Sequence, residues 1–173
     1  MSPDAENALA AIVTEHSYPK NAVIQPLGSR CRTVYFVKSG CARIHYLKDG
    51  HDITEHFAFA NQIIVRAESL FAGSVTRKGI EAIANTDVYA IDAPALFRLY
   101  DAHHGIERLF RLLFEAEYVA TVKRIESLQF MTAKERYLEL LSTTDYVQKI
   151  PLRFIAGYLG ITQVSLSRIR ASS

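Results

Sequence analysis

Hydrophobic and polar positions recur with a period of two in the first half of the chain and with a period of three to four in the second. Val34-Tyr35-Phe36-Val37 is a β-branched and aromatic run, followed by Gly40. Ala42, Ile44 and Tyr46 then alternate with Arg43, His45 and Leu47, which predicts a strand with two unlike faces. Lys48-Asp49-Gly50 predicts a hairpin turn, because Asp-Gly accepts the positive φ angles of a tight reversal, and residues 52–59 return as the partner strand. Residues 80–83 and 88–91 flank a second turn, Ala84-Asn85-Thr86-Asp87. Short strands broken by Gly, Asp and Asn, with no helix between them, predict an antiparallel barrel or jelly roll over about residues 8–97.

The pattern then changes. Residues 105–130 contain no Pro and no Gly after the first position, and predict one helix of about 26 residues, roughly 39 Å long. One apolar stripe steps through Ile106, Leu109, Leu113, Ala116 and Ala120; a second face carries Phe110, Phe114, Val122 and Ile125. The β-domain satisfies one face, and a partner helix is the economical cover for the other. Ala116 and Ala120 allow close approach, so residues 98–131 are expected to form a homodimer helix. The competing reading is a helix buried within a monomer.

Residues 132–173 are short helices. Thr132-Ala133-Lys134-Glu135 fits a capping box opening a helix over 133–142, which Thr143-Thr144-Asp145 ends. Pro151 suits the first turn of the next helix, whose Leu152, Ile155, Ala156 and Leu159 share one face; Gly160 stops it. Thr162 can cap a last helix from Gln163 to about Arg170 with Leu166 and Ile169 inward. Two short helices around Gly160-Ile161-Thr162 have the layout of a helix-turn-helix, whose second member enters the major groove of DNA. At 100° per residue the outward side presents Val164, Ser167 and Arg168, flanked by Gln163, Ser165 and Arg170. Arg168 suits a guanine edge and Gln163 an adenine edge; Thr162, Ser165 and Ser167 suit phosphates. The bland alternative is that Gly160 only separates two packing helices.

Charge strengthens the first reading. The 173 residues carry a net +2, yet from residue 146 onward there are four cations, Lys149, Arg153, Arg168 and Arg170, and no acid. A basic tail on a mildly acidic body points to a polyanion such as double-stranded DNA. With 49% hydrophobic residues, a disordered chain is excluded. No apolar run is long enough for a membrane span, and the first residues lack the pattern of a secretory signal. Two cysteines, Cys31 and Cys41, supply neither a disulfide framework nor a four-thiolate iron–sulfur site. A cytoplasmic protein is expected.

The order of β-domain, long helix and terminal helix pair resembles the Crp/Fnr family of bacterial transcription regulators. The resemblance is carried by Val34-Tyr35-Phe36-Val37-Lys38-Ser39-Gly40, Arg43-Ile44-His45-Tyr46-Leu47-Lys48-Asp49-Gly50 and Ile125-Glu126-Ser127-Leu128-Gln129-Phe130. It continues in Glu135-Arg136-Tyr137-Leu138, Ile155-Ala156-Gly157-Tyr158-Leu159-Gly160-Ile161-Thr162 and Leu166-Ser167-Arg168-Ile169-Arg170. It implies a cyclic-nucleotide-binding-like jelly roll, a homodimerisation helix and a DNA-reading end. Two departures follow. Nucleotide-binding relatives carry a Gly-Glu pair for the ribose and an Arg-hydroxyl pair for the phosphate, and laying the chain on that pattern through Leu70-Phe71 puts Arg66-Ala67 and Arg77-Lys78 there. Glu68 is one position off, so cyclic AMP and cyclic GMP are not expected. Arg66, Glu68 and Arg77 remain the candidates around an effector pocket. The sequence also ends at Ser173, without the β-wing of longer relatives.

Other sensor chemistry finds little support. His45, His51, His56, His103 and His104 are the haem or metal candidates, with surface histidines the default, so haem is not expected. The paired H-x-H and following Glu of a metal-dependent cupin enzyme are absent, and no enzyme is expected. The expectation is an α+β chain: a jelly roll (8–97), a dimerisation helix (98–131) and a shortened helix-turn-helix (132–173). It would act as a homodimeric DNA-binding regulator with an unknown small-molecule effector and no membrane partner. The rival is a dimeric sensor or adaptor that no longer binds DNA.

Overall fold

The computed structural model describes residues 1–143 and 145–171. The predicted β-rich half folds as two four-stranded antiparallel sheets packed face to face. Its strands are β1 (Val13–Tyr18), β2 (Val23–Gln25), β3 (Thr33–Ser39), β4 (Cys41–Lys48), β5 (His51–Phe59), β6 (Ile63–Ile64), β7 (Gly79–Ala82) and β8 (Thr86–Asp92). One sheet runs β1-β8-β3-β6 and the other β2-β7-β4-β5. The β4–β5 hairpin reverses at Asp49 and Gly50, whose φ angles of 51° and 77° are those an Asp-Gly turn supplies. The turn after β7 passes the chain between sheets: β7 pairs with β2 and β4, whereas β8 pairs with β1 and β3. Ala42, Ile44, Ala58, Ile80, Val37 and Val88 meet between the sheets as a dry core.

Helices cover both outer faces. α1 (Pro3–Ala10) precedes β1, α2 (Ala67–Ala72) lies between β6 and β7, and α3 (Ala93–Ala102) follows β8. The expected helix-free β-domain is therefore corrected at α2. Sequence signals for α3 were present: Asp92 caps it by accepting the Ala95 N–H at 2.9 Å, and Pro94 sits in its first turn. α4 (His104–Phe130) is the long helix, 27 residues. Its first half joins α1 and α3 over the β3–β8 face, burying Ile106 and Phe110 with Val34, Ile91 and Leu96.

The other outer face is covered by the C-terminal helices. α5 (Ala133–Thr143) opens with the predicted capping box: Thr132 Oγ1 accepts from the Glu135 N–H at 3.3 Å, and a Glu135 carboxylate oxygen accepts from the Thr132 N–H at 2.7 Å. A 3-10 turn (Asp145–Lys149), α6 (Leu152–Leu159) and α7 (Gln163–Ala171) follow. Pro151 stands at the N-cap of α6, one step before the predicted position. Thr144 of the predicted helix break, and Ser172 and Ser173 at the predicted end, lie outside the described residues. Cys41, Phe57, Phe59 and Ile83 of the sheet share one buried cluster with Tyr137, Leu140, Phe154, Ile155, Leu159 and Leu166. The helix pair and the β-domain thus have a common core. Phe57-Ala58-Phe59, three successive buried strand residues, is the sequence trace of a strand covered on both faces.

Candidate functional site

Gly160 (φ 70°) turns the chain out of α6, and the Ile161 N–H donates back to the Ala156 carbonyl at 3.0 Å. An αL residue here costs a non-glycine strain, so Gly160 sets the angle between α6 and α7. Thr162 Oγ1 accepts the Ser165 N–H at 3.1 Å and caps α7. Leu166 is fully buried and Ile169 half-buried, so α7 is anchored on one side. Its other side gathers Thr162, Gln163, Val164, Ser165, Ser167, Arg168 and Arg170, all exposed. Lys149 on the 3-10 turn and Arg153 on α6 are exposed cations too, and the Arg153 guanidinium rests 4.7 Å from the Phe154 ring.

What holds this face in place was not read from the sequence. Gly157 lies against β5 so closely that a Cβ there would stand 3.0 Å from the Asp52 carbonyl oxygen and 3.3 Å from the Thr54 nitrogen. Beside it, the buried Arg43 guanidinium donates to both Asp52 oxygens at 2.7 Å and to Glu81 Oε2 at 3.0 and 2.7 Å. It also donates to Thr54 Oγ1 at 3.0 Å, and the Phe154 ring of α6 covers it at 3.7 Å. Burial tends to raise the Asp52 carboxyl, but the Arg43 hydrogen bonds and charge hold it below the usual carboxylate range. At the far end of α6, Arg124 of α4 donates to the Tyr158 carbonyl and lies 4.0 Å over the Tyr158 ring. Arg136 of α5 donates to the Leu159 carbonyl at 2.9 Å. Cations thus satisfy carbonyls that the C-terminus of a helix leaves open.

The effector candidates differ in their surroundings. Arg66 is 1% exposed at the N-cap position of α2. It donates to Gln25 Oε1 at 2.9 Å, the Lys78 carbonyl at 2.6 Å, the Pro26 carbonyl at 3.4 Å and Ser29 Oγ at 2.9 Å. Its donors are spent on the protein's own chain. Glu68 accepts from Thr76 at 2.7 Å and from Lys78 at 3.0 Å, which lowers its carboxyl, and Arg77 is exposed.

On α4 the predicted outward stripe is revised at one end. Ile106 is fully buried in its own subunit, because α4 rests that flank on α1 and α3; Leu113 is half-buried. Leu109, Ala116 and Ala120 are exposed, joined by Leu112 and Val119. On another side of α4, His56 of β5 places Nε2 3.9 Å from a Glu117 oxygen, with no hydrogen-bond partner among the described residues. Burial, then the Arg124 charge, pushes His56 down to about 4; burial raises Glu117. The unfolded chain therefore takes up the histidine proton first, so His56 contributes stability above about pH 6.5 that is lost toward pH 4. With a third of its ring exposed, the expected loss is about 1–2 kcal/mol rather than the full linkage value. Glu117 acts with the opposite sign and blunts it, while His45, also lowered by burial and Arg43, adds to it. Thermal denaturation across pH 7 to 4.5 should show a shallower slope in His56→Gln than in the parent.

Among the described residues no group of three or more His, Cys, Asp or Glu could hold a metal ion, and no helix is long and apolar enough to cross a membrane. Burial drives the Cys41 thiol far above its ordinary range, away from thiolate chemistry. The family model for the cyclic nucleotide-binding domain matches residues 15–103, more than half of the chain. Among solved structures, FixK2 from Bradyrhizobium japonicum is similar at 24% identity and TM-score 0.78, over 93% of this chain and 84% of that one. A transcriptional regulator of the Crp/Fnr family from Eubacterium rectale gives 20% identity and TM-score 0.76, over 99% and 83%. The c-di-GMP-responsive regulator CLP of Xanthomonas campestris gives 16% and 0.74, over 99% and 91%. No curated protein sequence matches.

Proposed function

Since the chain belongs to the cyclic nucleotide-binding domain family and has the fold of Crp/Fnr regulators, we propose that it is a transcription regulator that binds duplex DNA as a homodimer through α7. The observation that carries this reading is the two-sided character of α7: Leu166 locked in the core, and Gln163, Ser167 and Arg168 together in solvent. A helix anchored this way presents a rigid polar ridge of the width the major groove admits. Arg168 would pair with a guanine edge, Gln163 with adenine, and Val164 would meet a thymine methyl. Thr162, Ser165 and Ser167 would take phosphates, with Lys149, Arg153 and Arg170 adding salt-dependent affinity. Two copies related by a twofold axis would read half-sites about 34–36 Å apart.

The ribose pair's place is taken by Arg66-Ala67, with no carboxylate and with Arg66 tied to Gln25, the Lys78 carbonyl and Ser29, which supports an effector other than cyclic AMP or cyclic GMP. Signalling then requires an effector that binds one arrangement of the α4 pair better than another.

The test is selection of a preferred site from random duplexes, followed by salt-titrated binding. Arg168→Ala should cost about 1–3 kcal/mol on the selected site and relax its sequence preference. Lys149→Ala should weaken all duplexes alike and lower the salt slope by about one unit. Flat salt dependence in the parent protein would favour the adaptor reading instead.

A further inference from the structure

We propose that the groove between α2, α3 and α4 binds a small apolar organic cation, an aryl- or alkylammonium. The groove has a volume of about 660 Å³ and is walled by Phe71, Phe97, Tyr100, Phe114 and Tyr118. That size is in the range of small-molecule sites. The rings form a continuous wall: Phe71 stacks on Phe97 at 6.3 Å and meets Phe114 edge-on at 5.2 Å, and Phe97 lies 5.6 Å from Tyr100. Phe71 is 58% and Tyr118 71% exposed, so the wall is left in water. The Tyr100 hydroxyl is buried with no hydrogen-bond partner among the described residues.

Charge decides the class of ligand. Glu107, Arg111 and Glu115 line the same groove. The one guanidinium is shared between two carboxylates, 3.4 Å from Glu107 and 2.7 Å from Glu115. One negative charge is left over beside a surface of aromatic rings, whose faces attract cations. An anion would meet that surplus charge, while an ammonium would complement both the rings and the carboxylates. The groove is separate from the position of Arg66. Arg111 and Tyr118 stand about 200° round the helix from Leu109 and Ala116, and the groove meets the outward stripe of α4 at its edge, through Val119.

Titration calorimetry on the full chain tests the proposal, using benzyltrimethylammonium, with benzyl alcohol and phenylacetate as neutral and anionic probes of similar size. The ammonium should bind saturably, and each other probe at least about tenfold more weakly. Phe71→Ala and Glu115→Gln should each weaken the ammonium by about threefold to tenfold, while Arg111→Gln, which frees both carboxylates, should tighten it. All three positions are exposed, and retained melting curves establish that the variants fold. No saturable heat to about 10 mM ammonium, equal binding of benzyl alcohol, or unchanged affinity in Phe71→Ala and Glu115→Gln would overturn the proposal. Each readout is independent of DNA binding, so failure of the regulator reading leaves this test intact.

Discussion

Arg43→Ala should lower the free energy of unfolding by about 2–4 kcal/mol, among the largest effects of any single substitution in this chain. The guanidinium has five N–H groups, and all five are engaged by Asp52, Glu81 and Thr54. Truncation leaves Glu81, whose side chain is only 16% exposed, without the Arg43 countercharge, and the loss of a buried partner typically costs about 3–5 kcal/mol. The lower range is expected because the Asp52 side chain remains 36% exposed, so water can recover part of its solvation. Arg43→Lys should recover little of the loss, since an ammonium cannot reproduce the bidentate fork or stack flat against a ring. Urea titrations read the change at constant m-value. A loss below about 1 kcal/mol would mean that the network is not what seats α6. Gly157→Ala provides an independent route to the same seat: its added carbon would press on the β5 backbone, which cannot rotate aside, and a cost of about 1–3 kcal/mol is expected.

With α4 paired as proposed, Ala116→Glu should convert the dimer into a monomer. Leu109, Leu112, Ala116, Val119 and Ala120 lie along one outward side of α4, at the three- and four-residue steps of a helix seam. In a lone subunit that stripe stays in water, with Leu112 at 49% and Val119 at 50% exposure. Twofold pairing would bring the two copies of residue 116 close together, so the substitution places two carboxylates against each other in an apolar contact. The dimer constant should weaken by at least about a hundredfold, close to 2.7 kcal/mol. Light scattering should then report 19.4 kDa rather than twice that mass. Because residue 116 is exposed within its own subunit, the melting temperature of the monomer fold should be preserved. On the proposed function, DNA affinity should fall with the dimer, since two linked half-site contacts exceed the affinity of either one. A retained dimer mass would place the subunit contact elsewhere.

Local features of the fold were legible because local forces set them. The Asp49-Gly50 reversal, the Thr132–Glu135 capping box and the Gly160 stop each depend on residues a few positions apart, and each forms as read. α1, α2 and α3 were missed because short helices carry little periodicity, although the Asp92 cap and Pro94 marked one of them. The layout of α7 was also legible: a buried Leu166 fixes which side chains face out. Its support was not. Nothing in Gly157, Arg124 or Arg136 indicates by itself that they meet β5 or the end of α6, since those partners lie far away in sequence.

Period and punctuation in the amino-acid sequence determined that this protein has a strand-rich half, a long helix and a terminal helix pair. These choices follow from backbone preferences and from which side of each element is apolar. Tertiary structure decided the fate of the residues whose chemistry admitted two outcomes. Arg43 alternates as a polar strand position yet is buried, because α6 covers that sheet face and two carboxylates neutralise it there. Arg66, a candidate around the effector pocket, became an internal tie, because the chain around it supplies acceptors for its donors. Ile106 went to the subunit's own core and Leu109 to the surface, because packing of α4 against α1 and α3 sets the rotation of the helix, which no periodicity specifies.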